Sequence, residues 1–251
     1  MKQIDNKLTQ KFDEYPQFGV LQGVKVFVTG TNIAGPFAGC LMAEMGAQVL
    51  QAESPSIACQ TRGTLSWSQN HRNEYSITIN TAKASGRKIF YKCVEWADIW
   101  IEAGKPGSYA KRGITDKSCW EHNKALTIVH VSGYGQFGPS KDKPSYDVSG
   151  QAMGGYMYLN GPSPTSSPLK VNPYLSDYVT ASTHSAPARE IPVTWHSMTQ
   201  CSVCWTTIRQ GGSTTAIRSR ASLFRSVQET RATWRHASPS TIQRTAILSL
   251  S

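Results

Sequence analysis

The sequence predicts an α/β protein: a Rossmann-like, mostly parallel sheet with flanking helices, followed by a poorly structured tail. Three observations carry that reading. Short runs rich in β-branched and aromatic residues alternate with stretches of helical periodicity, the order that builds a parallel sheet. The first run ends on a glycine turn and leads through a helix into a second run, a complete βαβ unit. At Ala181 the composition changes. Residues 1–181 hold all 14 lysines and 14 of the 16 acidic residues, whereas 182–251 have no lysine, no aspartate, eight arginines, 12 serines and 11 threonines. One reading frame rarely changes its vocabulary so abruptly. Residues 182–251 therefore read as a frameshifted or degenerate tail, too poor in aliphatic residues for burial to offset the backbone entropy of folding. The division expected is an N-terminal extension over 1–17, an ordered part over 18–181 and the tail over 182–251.

The elements follow in chain order. Gly23 to Gly30 is a buried strand running up to a glycine turn. Ala34, Phe37, Ala38, Leu41, Met42 and Met45 then recur at three- and four-residue spacing, with Pro36 in the first turn, where a missing N–H costs nothing. Gly46 ends that helix, and Ala47 to Glu53 is a second strand closing on an acid. Ser76 to Asn80 alternates as a strand. Ala84 to Glu95 is a helix with Ile89, Phe90, Cys93 and Val94 on one face, and Ala97 to Glu102 is the next strand. A loop and short helix over Ala103 to Gly113 bring Lys105, Lys111 and Arg112 just past that strand's end, where open α/β sheets bind ligands. These cations are either phosphate partners or ordinary solvated surface. Leu126 to Ser132 is a further strand, and His130 within it reads as a satisfied core histidine. Gln151 to Tyr158 is apolar and glycine-rich, and Asn160 to Pro168 is a domain-edge loop.

Glycines after a first strand and an acid closing the second are also parts of a dinucleotide site. The spacing argues against one: Gly30, Gly35 and Gly39 do not make G-x-G-x-x-G, and Pro36 and Phe37 occupy the positions where a pyrophosphate needs close backbone approach. An NAD-type Rossmann oxidoreductase is the alternative reading. What remains is a helix N-terminus with free N–H groups, a general anion site.

Charge and cysteine content narrow the class. The net charge is +10, but residues 1–181 carry 18 basic against 14 acidic groups, so the tail supplies most of the excess. Its arginines are scattered through Ser and Thr without clustering or aromatic interleaving, so nucleic acid is not an expected partner. Residues 1–15 lack the apolar stretch of a signal peptide, and nowhere do about 18 apolar residues run together. A soluble cytoplasmic protein with no membrane association is expected. Cys40, Cys59, Cys93 and Cys119 are spaced as buried reduced thiols, and Cys201-x-x-Cys204 has no second pair to complete a metal site.

Several segments together resemble the class III CoA-transferases, in the branch of the carnitine and bile-acid enzymes. They are Phe18 to Val26, Ile33 to Gly39, Gly46 to Val49, Gln69 to Asn73, Trp96 to Glu102, Arg112 to Asp116, Val129 to Gln136 and Asn172 to Asp177. The likeness runs from about Pro16 to Ala181. It implies an acyl-CoA:carboxylate CoA-transferase working through an aspartyl-CoA thioester. Asp177 would be the nucleophile; on sequence alone it reads first as an Asp capping the next helix, and the resemblance reverses that order. The resemblance implies that Lys105 and Arg112 meet the CoA phosphates and that Asn32 and Ile33 line the pocket. Coenzyme A, as a substrate thioester, is the expected ligand, with an acyl-CoA donor, a carboxylic acid acceptor and no metal. Gly104-Lys105-Pro106 stands where relatives more often have Ser-Lys-Gly. Relatives form interlocked homodimers, and the threading second domain is not recognisable after Ala181. The resemblance thus implies a truncated large domain with impaired activity, an inactive fragment or non-enzymatic binding protein being the further alternative.

Overall fold

The computed structural model describes residues 18–56, 59–163, 165–184, 205–210 and 213–217. Five strands form a parallel array: β1 Lys25–Gly30, β2 Gln48–Glu53, β3 Tyr75–Thr78, β4 Ile99–Ala103 and β5 Thr127–Ser132. Helices α1 Ala34–Glu44, α2 Leu65–Asn70, α3 Ala84–Trp96 and α4 Asp116–His122 connect them, with a single 3-10 turn at Ala110–Arg112 before α4. Helices α5 Asp147–Met153, α6 Tyr156–Leu159 and α7 Leu175–His184 follow. The sheet order is β3-β2-β1-β4-β5, so the chain reverses its direction of winding between β1 and β4. That reversal opens a crevice at the carboxyl ends of the two strands, the usual ligand position in such sheets.

Period-two alternation sorts the strand residues between two cores. Val26, Val28, Ile101, Val129 and Val131 face α1 and α7, where Ala38, Met42 and Ala181 complete one buried cluster. Phe27, Trp100 and Ile128 point the other way and pack with Phe90, Ile114, Cys119 and Leu126. Phe90 sits at the centre of the second cluster, its ring 5.3–5.6 Å from those of Phe27, Trp100 and Tyr109. Cys40, Cys59, Cys93 and Cys119 are buried free thiols, as their spacing suggested; Cys201 and Cys204 lie outside the described residues.

Two strands arise in the segment expected to lack regular structure. β6 Trp205–Gln210 pairs antiparallel with β5, and β7 Ser213–Ile217 pairs antiparallel with β6, extending the sheet to seven strands. The physical reason is local. Thr206, Thr207, Ile208, Thr214, Thr215 and Ile217 have high β propensity and flank Gly211-Gly212, a two-residue hairpin signal. The composition argument weighed only whether the segment could build a core. α7 also runs three residues past the composition break. Among the described residues no helix is long and apolar enough to cross a membrane.

Candidate active site at the strand reversal

The first side of the crevice is the turn between β1 and α1. Asn32 adopts a left-handed conformation with φ 70°, its N–H donates to Cys59 Sγ at 3.2 Å, and its buried Oδ1 has no hydrogen-bond partner. Ile33 occupies the N-cap position of α1 without a side-chain cap, and its own side chain is buried. The first turn of α1 therefore keeps N–H groups at Ala34 and Gly35 that no acid within that turn consumes. The glycines here serve packing. A Cβ on Gly30 or Gly35 would lie 2.7 or 2.6 Å from Ala103 Cβ, so both allow the start of α1 to press against the end of β4. Glu53, the acid closing β2, is buried and ion-paired with Arg62.

The second side is the loop after β4. Lys105 is exposed, with no carboxylate partner among the described residues. Arg112, also exposed, donates to Thr81 Oγ1 at 3.0 Å and lies 5.6 Å above the Tyr109 ring. Beneath this loop is a cavity of about 350 Å³ bordered by Trp100, Glu102, Tyr109, Asp116, His130 and Gln136.

Asp177 enters from the α1 side, in the first turn of α7. Helix α7 packs along α1, with the Tyr178 and Phe37 rings 4.6 Å apart and the Tyr178 hydroxyl donating to Asn70 Oδ1. Burial first, and then the charge of Asp147, push the Asp177 carboxyl up from 3.8 to about 7. Asp147 is 4 % exposed and satisfied: Oδ1 accepts from Ser176 N at 2.9 Å and lies 2.8 Å from Ser176 Oγ, while Oδ2 accepts from Gln151 Nε2 at 2.7 Å. Gln151 in turn bonds both backbone groups of Val171. This network fixes the approach to α7. It depends on Gly150, where a Cβ would meet Ser176 Oγ at 2.8 Å. Asp177 is thus a helical first-turn residue beside a second carboxylate, a combination able to hold a reactive acid that ionises near neutrality.

The residues named from sequence fall in three places. Asn32 and Ile33 sit at the end of β1, Lys105 and Arg112 beyond the end of β4, and Asp177 on the helix packed against α1. Two features went unnoticed in the sequence. One is the Asp147 carboxylate. The other is the row formed by Thr29, Glu102 and His130, cross-strand neighbours on the face that packs against α3 and α4. A signal for the row existed: three polar residues at the carboxyl ends of otherwise apolar strands. His130 itself is buried with both ring nitrogens facing carboxylates, a satisfied histidine as expected. Among the described residues no group of three or more His, Cys, Asp or Glu side chains is arranged to hold a metal ion.

Comparison with known proteins gives a consistent result. The family model for CoA-transferase family III matches residues 21–188. Bile acid CoA-transferase BaiK of Clostridium scindens is 50% identical over 171 residues, 67% of this chain and 39% of that protein. L-carnitine CoA-transferase of Proteus mirabilis is 42% identical over 176 residues, 69% of this chain and 43% of that protein. The crystal structure of a CAIB/BAIF family protein from Brucella suis superposes with a TM-score of 0.63 at 29% identity, covering 67% of this chain and 48% of that one. The chain spans about two fifths of the length of the curated relatives it matches.

Proposed function

The chain belongs to CoA-transferase family III, and from that membership we propose that it carries the CoA-handling and nucleophilic part of an acyl-CoA:carboxylate CoA-transferase of bile-acid or carnitine type. The observation that carries the reading is Asp177, a half-buried carboxyl at the head of α7 whose ionisation is shifted to about 7.

In the proposed reaction, an ionised Asp177 oxygen attacks the thioester carbonyl of the donor acyl-CoA. The C–S bond breaks and CoA leaves as thiolate, giving an aspartyl mixed anhydride. The thiolate returns to the Asp177 carbonyl, the donor acid departs as carboxylate, and an aspartyl-CoA thioester remains. The acceptor carboxylate attacks that thioester, and the released thiolate takes the acceptor acyl group, restoring Asp177. Covalent catalysis of this kind divides one difficult exchange into easier steps and requires no metal. Ser176 N is spent on Asp147, so oxyanions formed at Asp177 are supported by the remaining N–H groups that open α7, those of Leu175 and Asp177. Coenzyme A is held from two sides: the open first turn of α1, preceded by Asn32 and Ile33, offers N–H groups, and Lys105 and Arg112 offer charge to the phosphates. The acyl donor and the carboxylic acid acceptor are the partners, and a second copy of the chain is the assembly partner that the family resemblance implies.

Mass spectrometry of the chain incubated with an acyl-CoA, followed by borohydride reduction of any thioester, tests the nucleophile. The label is expected on Asp177 and absent from Asp177→Asn, which should still bind CoA. Label on another carboxylate would refute the assignment. By calorimetry, Arg112→Ala should weaken CoA binding by about 1.5–3 kcal/mol, the worth of a charge-assisted contact. Lys83→Ala serves as control, and equal losses from the two would mean bulk charge and no site.

A further inference from the structure

The loop that carries Lys105 and Arg112 leaves the sheet at Glu102, next to last in β4, and re-enters regular structure at Asp116, the first residue of α4. Both of these carboxylates turn back onto one side chain. His130 Nδ1 lies 2.9 Å from Glu102 Oε2, and His130 Nε2 lies 3.2 Å from Asp116 Oδ1. We propose that His130 is the clasp of this loop, an imidazolium that ties its two ends together and so positions Lys105 and Arg112 as one unit. The clasp itself stands on the geometry, and only its consequence for phosphate binding rests on the CoA reading above.

The argument begins with hydrogen count. A neutral imidazole has one N–H and one lone pair, so it satisfies one carboxylate and sets its lone pair against the other; the imidazolium donates to both. The surroundings favour the charged form. Burial alone would lower the affinity of His130 for its proton, but the hydrogen bonds to Asp116 and Glu102 and their charges outweigh it and raise it to about 9. Glu102 faces His130 from β4 and Asp116 from α4, with the Trp100 ring 6.1 Å away and Tyr109 and Lys117 bordering the same cavity. No further acid borders that cavity among the described residues.

The loop needs such a tie. Its regular structure is one 3-10 turn with left-handed glycines at Gly107 and Gly113, and its backbone–backbone hydrogen bonds are short-range, such as Ser108 N to Lys105 O and Gly113 N to Ala110 O; Tyr91 Oη to Gly113 O and Arg112 to Thr81 Oγ1 reach further, but both hold its second half. Tyr109 and Ile114 anchor its apolar side in the second core cluster. The clasp adds the polar tie that joins its two ends. It also distinguishes His130 from a catalytic base: both nitrogens are occupied, and the ring lies on the sheet face opposite α1 and α7, the helix that bears Asp177.

Hydrogen exchange at pH 7 on the full chain tests the clasp directly. In His130→Gln, which is uncharged and has one amide nitrogen in place of two separated ring nitrogens, the amides of Lys111, Arg112, Gly113 and Ile114 should exchange about tenfold faster, while those of β1 and α1 are unchanged. Asp116→Asn, which weakens only the α4 end, should loosen Arg112 to Ile114 more than Gly104 to Tyr109; it keeps the test decisive even where His130→Gln does not fold. A readout that mere packing would not move is the ratio of CoA affinities, wild type over His130→Gln. It should be about tenfold at pH 7 and collapse toward one as pH rises past about 9. Unchanged loop exchange in both variants, or a ratio that stays near tenfold above pH 9, overturns the proposal. Faster exchange together with CoA binding indifferent to Arg112→Ala leaves the clasp standing and removes the loop from the CoA site.

Discussion

Replacing Asp147 by Asn isolates the electrostatic part of the environment of Asp177. The Asp177 carboxyl is held at about 7 against 3.8 for the free group, a bias of roughly 4 kcal/mol toward the neutral acid. Burial is the larger cause and the Asp147 charge the smaller, so removing that charge should lower the midpoint by about one unit and leave it above the ordinary carboxylate range. At pH 6 the ionised fraction would then rise from about one tenth to about one half, roughly a fivefold gain in carboxylate. The substitution keeps an acceptor for Ser176 but sets an amide NH₂ against Gln151 Nε2, costing about 1 kcal/mol of stability. A group whose folded pKa lies above its unfolded value favours the native state most at low pH, so Asp177 should erode stability as pH rises from about 4 to about 7, less so in the variant. Carbon-13 carboxylate NMR of Asp177 in wild type and Asp147→Asn reads the midpoints. A wild-type midpoint near 4, or one that Asp147→Asn does not move, would refute the reasoning.

His130, raised from 6.5 to about 9, should contribute about 3 kcal/mol that is fully present below pH 6.5 and lost as pH rises through about 9; urea unfolding across that window should show the fall in wild type and not in His130→Gln. Gly86→Ala should cost about 1–3 kcal/mol, because a Cβ there would meet the Asn80 carbonyl oxygen at 1.9 Å, a backbone atom that cannot step aside; an unchanged unfolding midpoint would contradict that packing.

Most of the parallel sheet was legible because its signals are local. The run from Val24 to Thr29, the helix paced by Phe37, Leu41 and Met45, and the strands ending at Glu53, Glu102 and Ser132 each announce themselves within a dozen residues. The candidate site was legible only in pieces. Asp147 and Ser176 are 29 residues apart, and their bond exists because α5 and α7 pack together, which no local period encodes. Glu102 and His130 are paired by the β4–β5 register, so either alone reads as an isolated polar residue in an apolar run. β6 and β7 show the converse: strand propensity around Gly211-Gly212 is local and readable, but the composition break drew attention away from it.

Asp177, half-buried, and His130, buried, lie on opposite faces of one sheet and are shifted in ways that complement each other. Asp177 becomes a carboxylate only above about 7, and His130 remains an imidazolium only below about 9. Between those values the proposed nucleophile is ionised while the proposed clasp on the loop bearing Lys105 and Arg112 is charged. Capture of an acyl-CoA by Asp177 at subsaturating thioester should therefore follow a bell with limbs near 7 and 9, the pattern of two groups required in opposite protonation states. The groups occupy separate networks with no shared partner, so each limb should answer to its own substitution. Asp147→Asn should move the acid limb to lower pH and leave the alkaline limb in place; His130→Gln should flatten the alkaline limb and leave the acid limb near 7. Both limbs moving together under either substitution would show a single coupled titration and remove the separation of the two faces.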